Sequence, residues 1–328
     1  MRNLGQEKQL TNVLAAGLFI ISVFVSTEGL SDPVNVPKLL LLGIFSCAAL
    51  GCLVSSKFNF WKNPQTLAIL LFLLFSGVSV FRSSSPLTQN LYGEYGRNNG
   101  LVAYFFLSIL LVVTSQLVKR ESHKKILKAL LYVGYLNLAY CLWVILFGDF
   151  IPWNNPYGNI LGTFGNPNFI GAFLGIFITA LTAYVVQPGI SWKYRGLALI
   201  TVAIGLFEIQ KSHAVQGLVV SAAGFSIIGF YFIRSKFKSN LILAGYTIAV
   251  AILGFISLLG ALQKGPLTSF IYKTSVSLRG EYWQAGWNMA SQFPFTGVGM
   301  DAYGDWYRRA RDSQALILPG PETVTNAA

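Results

Sequence analysis

The sequence has few charged residues for its length, and this scarcity excludes a soluble globular protein. Of its 328 residues only 11% are charged and 54% are hydrophobic, whereas a soluble domain carries about 25% charged residues. The mean hydropathy of +0.56 agrees with this deficit. We therefore predict an integral membrane protein, whose length leaves room for about nine or ten spans of about 20 residues.

Cysteine is also scarce, and its positions exclude the usual cysteine chemistry. Cys47, Cys52 and Cys141 lie inside apolar runs and lack the C-x-x-C spacing of a metal or redox site. We expect all three to be packing residues. The first apolar run is long and has no cleavage site of small residues after it, so we predict a retained helix there instead of a signal peptide.

Acidic residues are half as numerous as basic ones, which gives a net charge of +12. The 24 Lys and Arg residues are spread over many short connections instead of forming one stripe, so we predict no nucleic-acid partner. In a membrane protein, basic connections mark the cytoplasmic side.

Nine apolar runs are long enough to cross a bilayer, and they predict an all-α fold, a polytopic membrane helix bundle. With a cytoplasmic N-terminus, most basic residues fall in the inner connections, and the positive-inside rule places the last segment outside. We expect a transmembrane bundle over residues 1–262 and an extracytoplasmic loop over residues 263–328. The nine runs cover residues 12–30, 37–54, 66–82, 100–118, 126–148, 168–187, 196–210, 214–233 and 241–262.

Residues 277–303 are too polar to cross a membrane and still have the period of an amphipathic helix. Pro294 is predicted to end this helix, and the glycines that follow allow a turn close to a ligand. Arg279 and Trp283 lie one turn apart on a shared face, where we expect Arg279 to contact a ligand. Interfacial anchoring explains the aromatic residues Trp287 and Phe293. The predicted apolar side consists of Leu278, Tyr282, Trp283, Trp287, Ala290 and Phe293.

Two further outer segments each allow a structural and a functional interpretation. Arg97 lies in a glycine-punctuated loop, which is either an ordinary solvated loop or a contact to a phosphate or a sugar. Asn166 and Pro167 suit the N-cap and the first position of a helix that continues through Asn168. Because the free N–H groups of that helix start carry partial positive charge, they also suit an anion.

The short connection between the seventh and eighth apolar runs carries Lys211, Ser212 and His213. Ionisable residues at the membrane boundary, here Lys211, His213 and also Glu208, usually face a cavity or a partner. A tight hairpin whose charges reach water is the alternative. Together the outer segments supply cations and no carboxylate cluster, so we expect an anionic ligand at the membrane face, best matched by a lipid-linked diphosphate.

Three motifs resemble the O-antigen ligase and polymerase family of membrane glycosyltransferases. They are Gly-x-Tyr-Gly-Arg-x-x-Gly at 93–100, Gly-Thr-Phe-Gly-Asn-Pro-Asn-Phe at 162–169, and Arg279-x-x-Tyr-Trp followed by Pro294-x-x-Gly297-x-Gly299. The resemblance implies an all-helical enzyme of the bacterial inner membrane. Such an enzyme transfers a glycan from undecaprenyl diphosphate to a lipid, glycan or protein acceptor, with inversion and without metal or cofactor.

The resemblance also implies roles for individual residues. Arg279 matches an arginine thought to hold the diphosphate, with Tyr282 and Trp283 beside it. The family usually has Ser-Arg in the mid-chain connection, where this chain has Ser212-His213 next to Lys211, so either Lys211 or His213 takes that role.

The catalytic histidine of the family lies further along the outer loop, and neither His123 nor His213 matches it. We expect it beyond Ala328, in a longer parent chain, and expect residues 1–328 alone to be nearly inactive. Two other interpretations stay open. A multi-pass transporter of a small anion would carry charges within its spans, and a non-catalytic scaffold would leave the outer arginines without a role.

Overall fold

The computed structural model describes residues 4–27, 32–55, 63–152, 155, 158–262, 264–268 and 274–312. The regular elements in these residues are helices, and none is a strand, so the predicted all-α fold is confirmed. The helices are α1 (Leu4–Val23), α2 (Asn35–Ser55), α3 (Pro64–Arg82), α4 (Leu87–Tyr92), α5 (Leu101–Thr114), α6 (Arg120–Phe147), α7 (Pro167–Val185), α8 (Trp192–Lys211), α9 (Val215–Phe237), α10 (Asn240–Ala261), α11 (Thr274–Gln292) and α12 (Tyr303–Ala310).

Each predicted membrane run overlaps one of these helices, although α1 begins before the run at 12–30 and ends at Val23. Within the described part of the chain, the six helices α2, α3, α6, α7, α9 and α10 are long and apolar enough to cross a membrane. None of the apolar window of α10 is buried inside the protein, as a lipid-facing helix requires. The chain is therefore a multi-pass membrane protein. The count of nine spans stays a prediction, because α5 has only 14 residues and α1 and α8 are not among these six helices.

The chain forms two compact units. The first unit contains residues 1–17, 35–125 and 258–328, and the second unit contains residues 18–34 and 126–257. The predicted boundary at residue 262, which separates membrane bundle from outer loop, stays a prediction.

In the first unit α5 is the central helix, with α2, α3 and α4 packed against it. Gly43 of α2 allows the close approach, since a Cβ there would lie 3.0 Å from the ring of Phe106. The hydroxyl of Ser46 donates to the carbonyl of Phe106 across the same contact, at 3.1 Å. Small residues on α2 thus let a phenylalanine of α5 fill the space between the two helices.

Glu7 of α1 caps the start of α6. Its Oε1 accepts hydrogen bonds from the backbone nitrogens of Val118 and Lys119, at 3.2 and 2.8 Å, and from the hydroxyl of Ser122 at 2.9 Å. The side chain is buried, and burial raises its pKa, but the bonds from Lys119, Ser122 and Val118 lower the pKa more, to below its ordinary value of 4.5. Glu7 is therefore a buried carboxylate that the protein itself supplies with hydrogen-bond donors.

Segments predicted to share one side of the membrane touch each other. At one end of the first unit, Gln6 donates to the carbonyl of Ser55 at 3.1 Å, beside the bonds of Glu7. At the other, Asn35 donates to the carbonyl of Gly96 at 2.8 Å. These contacts agree with the predicted grouping of the connections. The cytoplasmic side itself stays a prediction.

In the second unit α7 is the central helix, packed on α8 and α9. Glycines allow the contact with α9, because a Cβ on Gly217 would lie 2.6 Å from the carbonyl oxygen of Gly171, and one on Gly175 would lie 2.9 Å from that of Gly217. The core beside this contact is apolar and includes Leu174, Phe177 and Ile178. Small residues at four-residue spacing thus serve helix packing here.

Candidate functional site

The Arg97 loop, residues 93–100 between α4 and α5, is tightly folded. Gly93 and Gly96 have φ angles of 91° and 84°, and Asn98 has φ 53°, which L residues rarely adopt. A Cβ on Gly93 would lie 2.5 Å from the backbone nitrogen of Asn99, so glycine is required there. The loop therefore holds Arg97 on a defined backbone at the start of α5.

The guanidinium group of Arg97 is largely buried and only partly paired. Its side chain is 20% exposed, and its Nε lies 3.9 Å from a carboxylate oxygen of Glu94. Its Nη2 is buried and has no hydrogen-bond partner among the described residues. A buried donor without a partner costs about 1–3 kcal/mol, and more for a charged group. An anion bound at this nitrogen would remove that cost and accept a charge-assisted hydrogen bond.

The glycine motif after α11 packs against the corner between α3 and α4. Gly297 and Gly299 have φ angles of 62° and 122°, and a Cβ on Gly299 would lie 2.2 Å from the hydroxyl oxygen of Ser83. The Ser83 hydroxyl donates to the carbonyl of Val298 at 3.1 Å, and the backbone nitrogen of Met300 donates to Asn90 at 2.9 Å. The sequence predicted a close approach to a ligand, and in this structure these glycines approach the protein.

Further polar contacts extend this attachment. The carboxylate of Asp305 accepts from the hydroxyl of Ser85 at 2.5 Å and from the amide of Gln89 at 3.1 Å. The carboxylate of Asp301 accepts from the backbone nitrogen of Glu94 at 2.6 Å. Residues 298–305 thus join the α3–α4 corner to the Arg97 loop.

Helix α11 has one packed and one exposed stripe. Ala285 and Met289 are buried against Tyr307 and Ala310 of α12. Tyr282 packs on Tyr307 with ring centroids 5.5 Å apart, and its carbonyl accepts from the hydroxyl of Tyr303 at 2.6 Å. Helix α12 was missed from the sequence, although its Tyr303, Tyr307 and Ala310 repeat at helical spacing.

The exposed stripe of α11 carries Arg279, which is partly exposed, then Trp283 and Trp287, which are 73% and 69% exposed. The predicted apolar side is therefore divided. Tyr282 and Phe293 lie toward α12, where Phe293 packs on Trp306, whereas the two tryptophans face outward, as interfacial anchors do. Ala290 is also exposed, and the side chain of Leu278 lies outside the described residues.

In the second unit, the predicted helix start at Asn166 is confirmed. The side chain of Asn166 accepts from the backbone nitrogen of Asn168 at 2.8 Å, and Pro167 is the first residue of α7. The preceding turn is fixed by Thr163, whose backbone nitrogen donates to Asn137 at 2.8 Å. The side chain of Asn168 is exposed. The geometry satisfies the structural interpretation, and the anion contact stays a prediction.

The connection between α8 and α9 is a tight hairpin organised by Ser212. The buried hydroxyl of Ser212 donates to the carbonyl of Ile209 at 2.7 Å and accepts from the nitrogen of Ala214 at 3.2 Å. His213 is exposed and has φ 55°. Lys211 is exposed, with its ammonium 5.6 Å from the ring centre of Phe207. Both side chains thus lie at the surface of the hairpin.

Glu208, one turn before the hairpin, is fully buried. Neither carboxyl oxygen has a hydrogen-bond partner among the described residues. The sequence predicted that ionisable residues here face a cavity or a partner. The structure shows a carboxylate enclosed in the core of the second unit.

The predicted site residues are divided between the two units. Arg97, Arg279, Tyr282 and Trp283 belong to the first, and Asn166, Asn168, Lys211 and His213 belong to the second. Their joint action on one ligand stays a prediction. The described residues contain no group of three His, Cys, Asp or Glu side chains that could hold a metal, and the metal-free reaction likewise stays a prediction.

Part of the chain is similar to a known family. Residues 197–327 match the family described as O-antigen ligase, so the predicted resemblance is confirmed over this part of the chain. The matched part includes Lys211, His213 and Arg279, and it supports a role in surface polysaccharide synthesis. No curated protein matches the chain. No solved structure matches it either.

Proposed function

We propose that this protein transfers a glycan from undecaprenyl diphosphate to a lipid, glycan or protein acceptor in the bacterial inner membrane. The family match supports this proposal, because the matched family is described as O-antigen ligase and such a ligase transfers glycans during surface polysaccharide synthesis. The exposed tryptophans of α11 suit a helix at the membrane interface, where a lipid-linked donor is found.

The observation that carries the proposal is the unpartnered nitrogen of Arg97. A guanidinium group that keeps a buried donor free is suited to an oxyanion, because phosphate oxygens accept the forked hydrogen bonds of arginine. The loop around Arg97 is already folded, so little backbone ordering opposes binding. In this proposal Arg97 binds the diphosphate together with Arg279.

The remaining predicted residues are candidate anion contacts of the second unit. They are Lys211 or His213 and the start of α7, with Asn166 and Asn168, where the free N–H groups carry partial positive charge. Tyr282 and Trp283 border Arg279 and contact the sugar or the lipid.

The reaction is an in-line displacement at the anomeric carbon of the donor sugar. The acceptor hydroxyl forms the new bond as the bond from the anomeric carbon to the phosphate oxygen breaks, and configuration inverts. The departing diphosphate takes the electron pair, and arginine side chains stabilise its charge, with one such donor worth about 3 kcal/mol. The acceptor proton passes to a general base.

The test compares Arg97→Ala with Arg97→Lys in cells that depend on the complete gene for surface glycan. Arg97→Ala is expected to abolish the glycan ladder while the protein reaches the membrane at normal levels, and Arg97→Lys to restore part of it. Arg82→Ala is the matched control, since Arg82 is an exposed arginine at the end of α3 in the same unit. An unchanged ladder in Arg97→Ala would contradict the proposal.

Transport of a small anion is the second candidate function. One observation favours it, the ionisable side chain of Glu208 buried within a predicted span. Uptake assays on Glu208→Gln separate the two functions. Loss of uptake with an intact glycan ladder would favour transport, and normal uptake would favour transfer.

A further inference from the structure

One carboxylate connects the segment after α11 to the Arg97 loop. Oδ2 of Asp301 accepts a hydrogen bond of 2.6 Å from the backbone nitrogen of Glu94. A short bond from a backbone N–H to a carboxylate is charge-assisted and stronger than a neutral one. The contact joins residues that are 207 positions apart in the sequence, so it is not a product of local chain geometry.

Asp301 is itself held in place. Its φ angle of 52° lies in the left-handed region, which Asp and Asn tolerate better than other residues with a Cβ. Its carbonyl accepts from the amide of Gln89 at 3.1 Å, and the preceding residue, Met300, donates to Asn90 at 2.9 Å. The carboxylate therefore projects from a backbone that is fixed on the α3–α4 corner.

Glu94, which Asp301 holds, contacts Arg97 in turn. The backbone nitrogen of Arg97 donates to the carbonyl of Glu94 at 3.1 Å. The carboxylate of Glu94 also lies 3.9 Å from Nε of Arg97. Main chain and side chain of Glu94 thus both constrain Arg97, and Asp301 holds the main chain of Glu94.

We propose that Asp301 is a positioning residue, which fixes the Arg97 loop so that the free guanidinium nitrogen meets the diphosphate of a prenyl-linked donor. The inference rests on the proposed function of Arg97 and adds a second residue to it. Asp301 touches neither donor nor acceptor. Its effect on binding passes through Glu94.

Two substitutions separate the carboxylate from the backbone conformation. Asp301→Gly removes the carboxylate and keeps the left-handed φ accessible, whereas Asp301→Asn keeps both that conformation and an oxygen acceptor for Glu94. The measurement is the affinity of the detergent-solubilised full-length protein for farnesyl diphosphate, with farnesol as the probe that lacks the anion. We expect Asp301→Gly to bind about tenfold more weakly, and Asp301→Asn to stay within about threefold of the parent.

A double variant tests whether Asp301 acts through Arg97. Because the proposal routes the whole effect through that loop, Asp301→Gly combined with Arg97→Ala should bind no more weakly than Arg97→Ala alone. Glu121→Ala is the control, since this exposed carboxylate of the same unit pairs with Lys124 of α6 and does not contact Glu94. It should leave the affinity unchanged.

The outcomes distinguish the two proposals. If Arg97→Ala weakens binding and Asp301→Gly does not, the positioning role is overturned and the function of Arg97 stands. Losses that multiply in the double variant would also overturn it, because they indicate independent effects. If Arg97→Ala binds like the parent, the diphosphate contact of Arg97 fails, and the role of Asp301 fails with it.

Discussion

Each end of the first unit buries a charged side chain, and the two side chains differ in their hydrogen-bond partners. At one end, Glu7 receives three hydrogen bonds from the start of α6. At the other, Arg97 keeps a buried nitrogen without a partner among the described residues. A buried charge that the protein satisfies contributes to stability, whereas one left unsatisfied costs stability and is available to a ligand. The contrast separates a structural charge from a candidate binding charge.

The largest expected effect on stability comes from substituting Glu7. Glu7→Ala leaves two backbone N–H groups and the Ser122 hydroxyl without their acceptor, so we expect the free energy of unfolding to fall by about 3 kcal/mol. Arg97→Ala is the paired variant, and it should not lower the free energy of unfolding, because it removes a buried donor whose missing partner costs stability. Thermal unfolding in detergent measures both. Equal losses in the two variants would contradict the comparison.

Glu208 extends the comparison to the second unit and should give the next largest effect. Glu208→Leu replaces two unpartnered oxygens with apolar atoms beside an apolar core. We expect the free energy of unfolding to rise by about 2 kcal/mol. Glu208→Gln, which keeps polar atoms, is the control and should gain less. A clear loss of stability in Glu208→Leu would show that the carboxylate has a bound partner.

The smallest expected effect is a change of stability with pH, which arises from the carboxyl group of Glu7. The hydrogen bonds at Glu7 place its pKa in the folded protein below 4.5, so the unfolded chain binds the proton more readily. The stability from Glu7 is therefore fully present above pH 4.5 and is lost as pH falls through the lower folded pKa. Unfolding temperatures of the parent and of Glu7→Gln should converge below that pH. A constant difference would contradict this assignment.

Much of the fold followed from the sequence, because membrane helices need long apolar runs and caps have local signatures. The helix start at Asn166 and Pro167 is the clearest case, since the residues that form the cap are adjacent. Such features need no knowledge of distant residues.

The structural arrangement around Arg97 could not be predicted in this way. The sequence singled out Arg97 and the glycines after α11, but not that Asp301 holds the loop of Arg97 or that Ser83 contacts Gly299. Both contacts join residues more than 200 positions apart in the sequence. The division of α11 into packed and exposed stripes was missed for a similar reason, because it depends on α12.

The attachment of residues 298–305 to the α3–α4 corner also sets an order of assembly. Asn90 and Met300 are 210 positions apart, and residues 126–257 of the second unit are synthesised between them. During synthesis, nearly the whole second unit therefore emerges before residues 298–305, which hold the Arg97 loop. A nascent chain that has released its first five helices would carry Arg97, the candidate anion contact, on an unsupported loop, and the folded Arg97 loop would form only late in biogenesis.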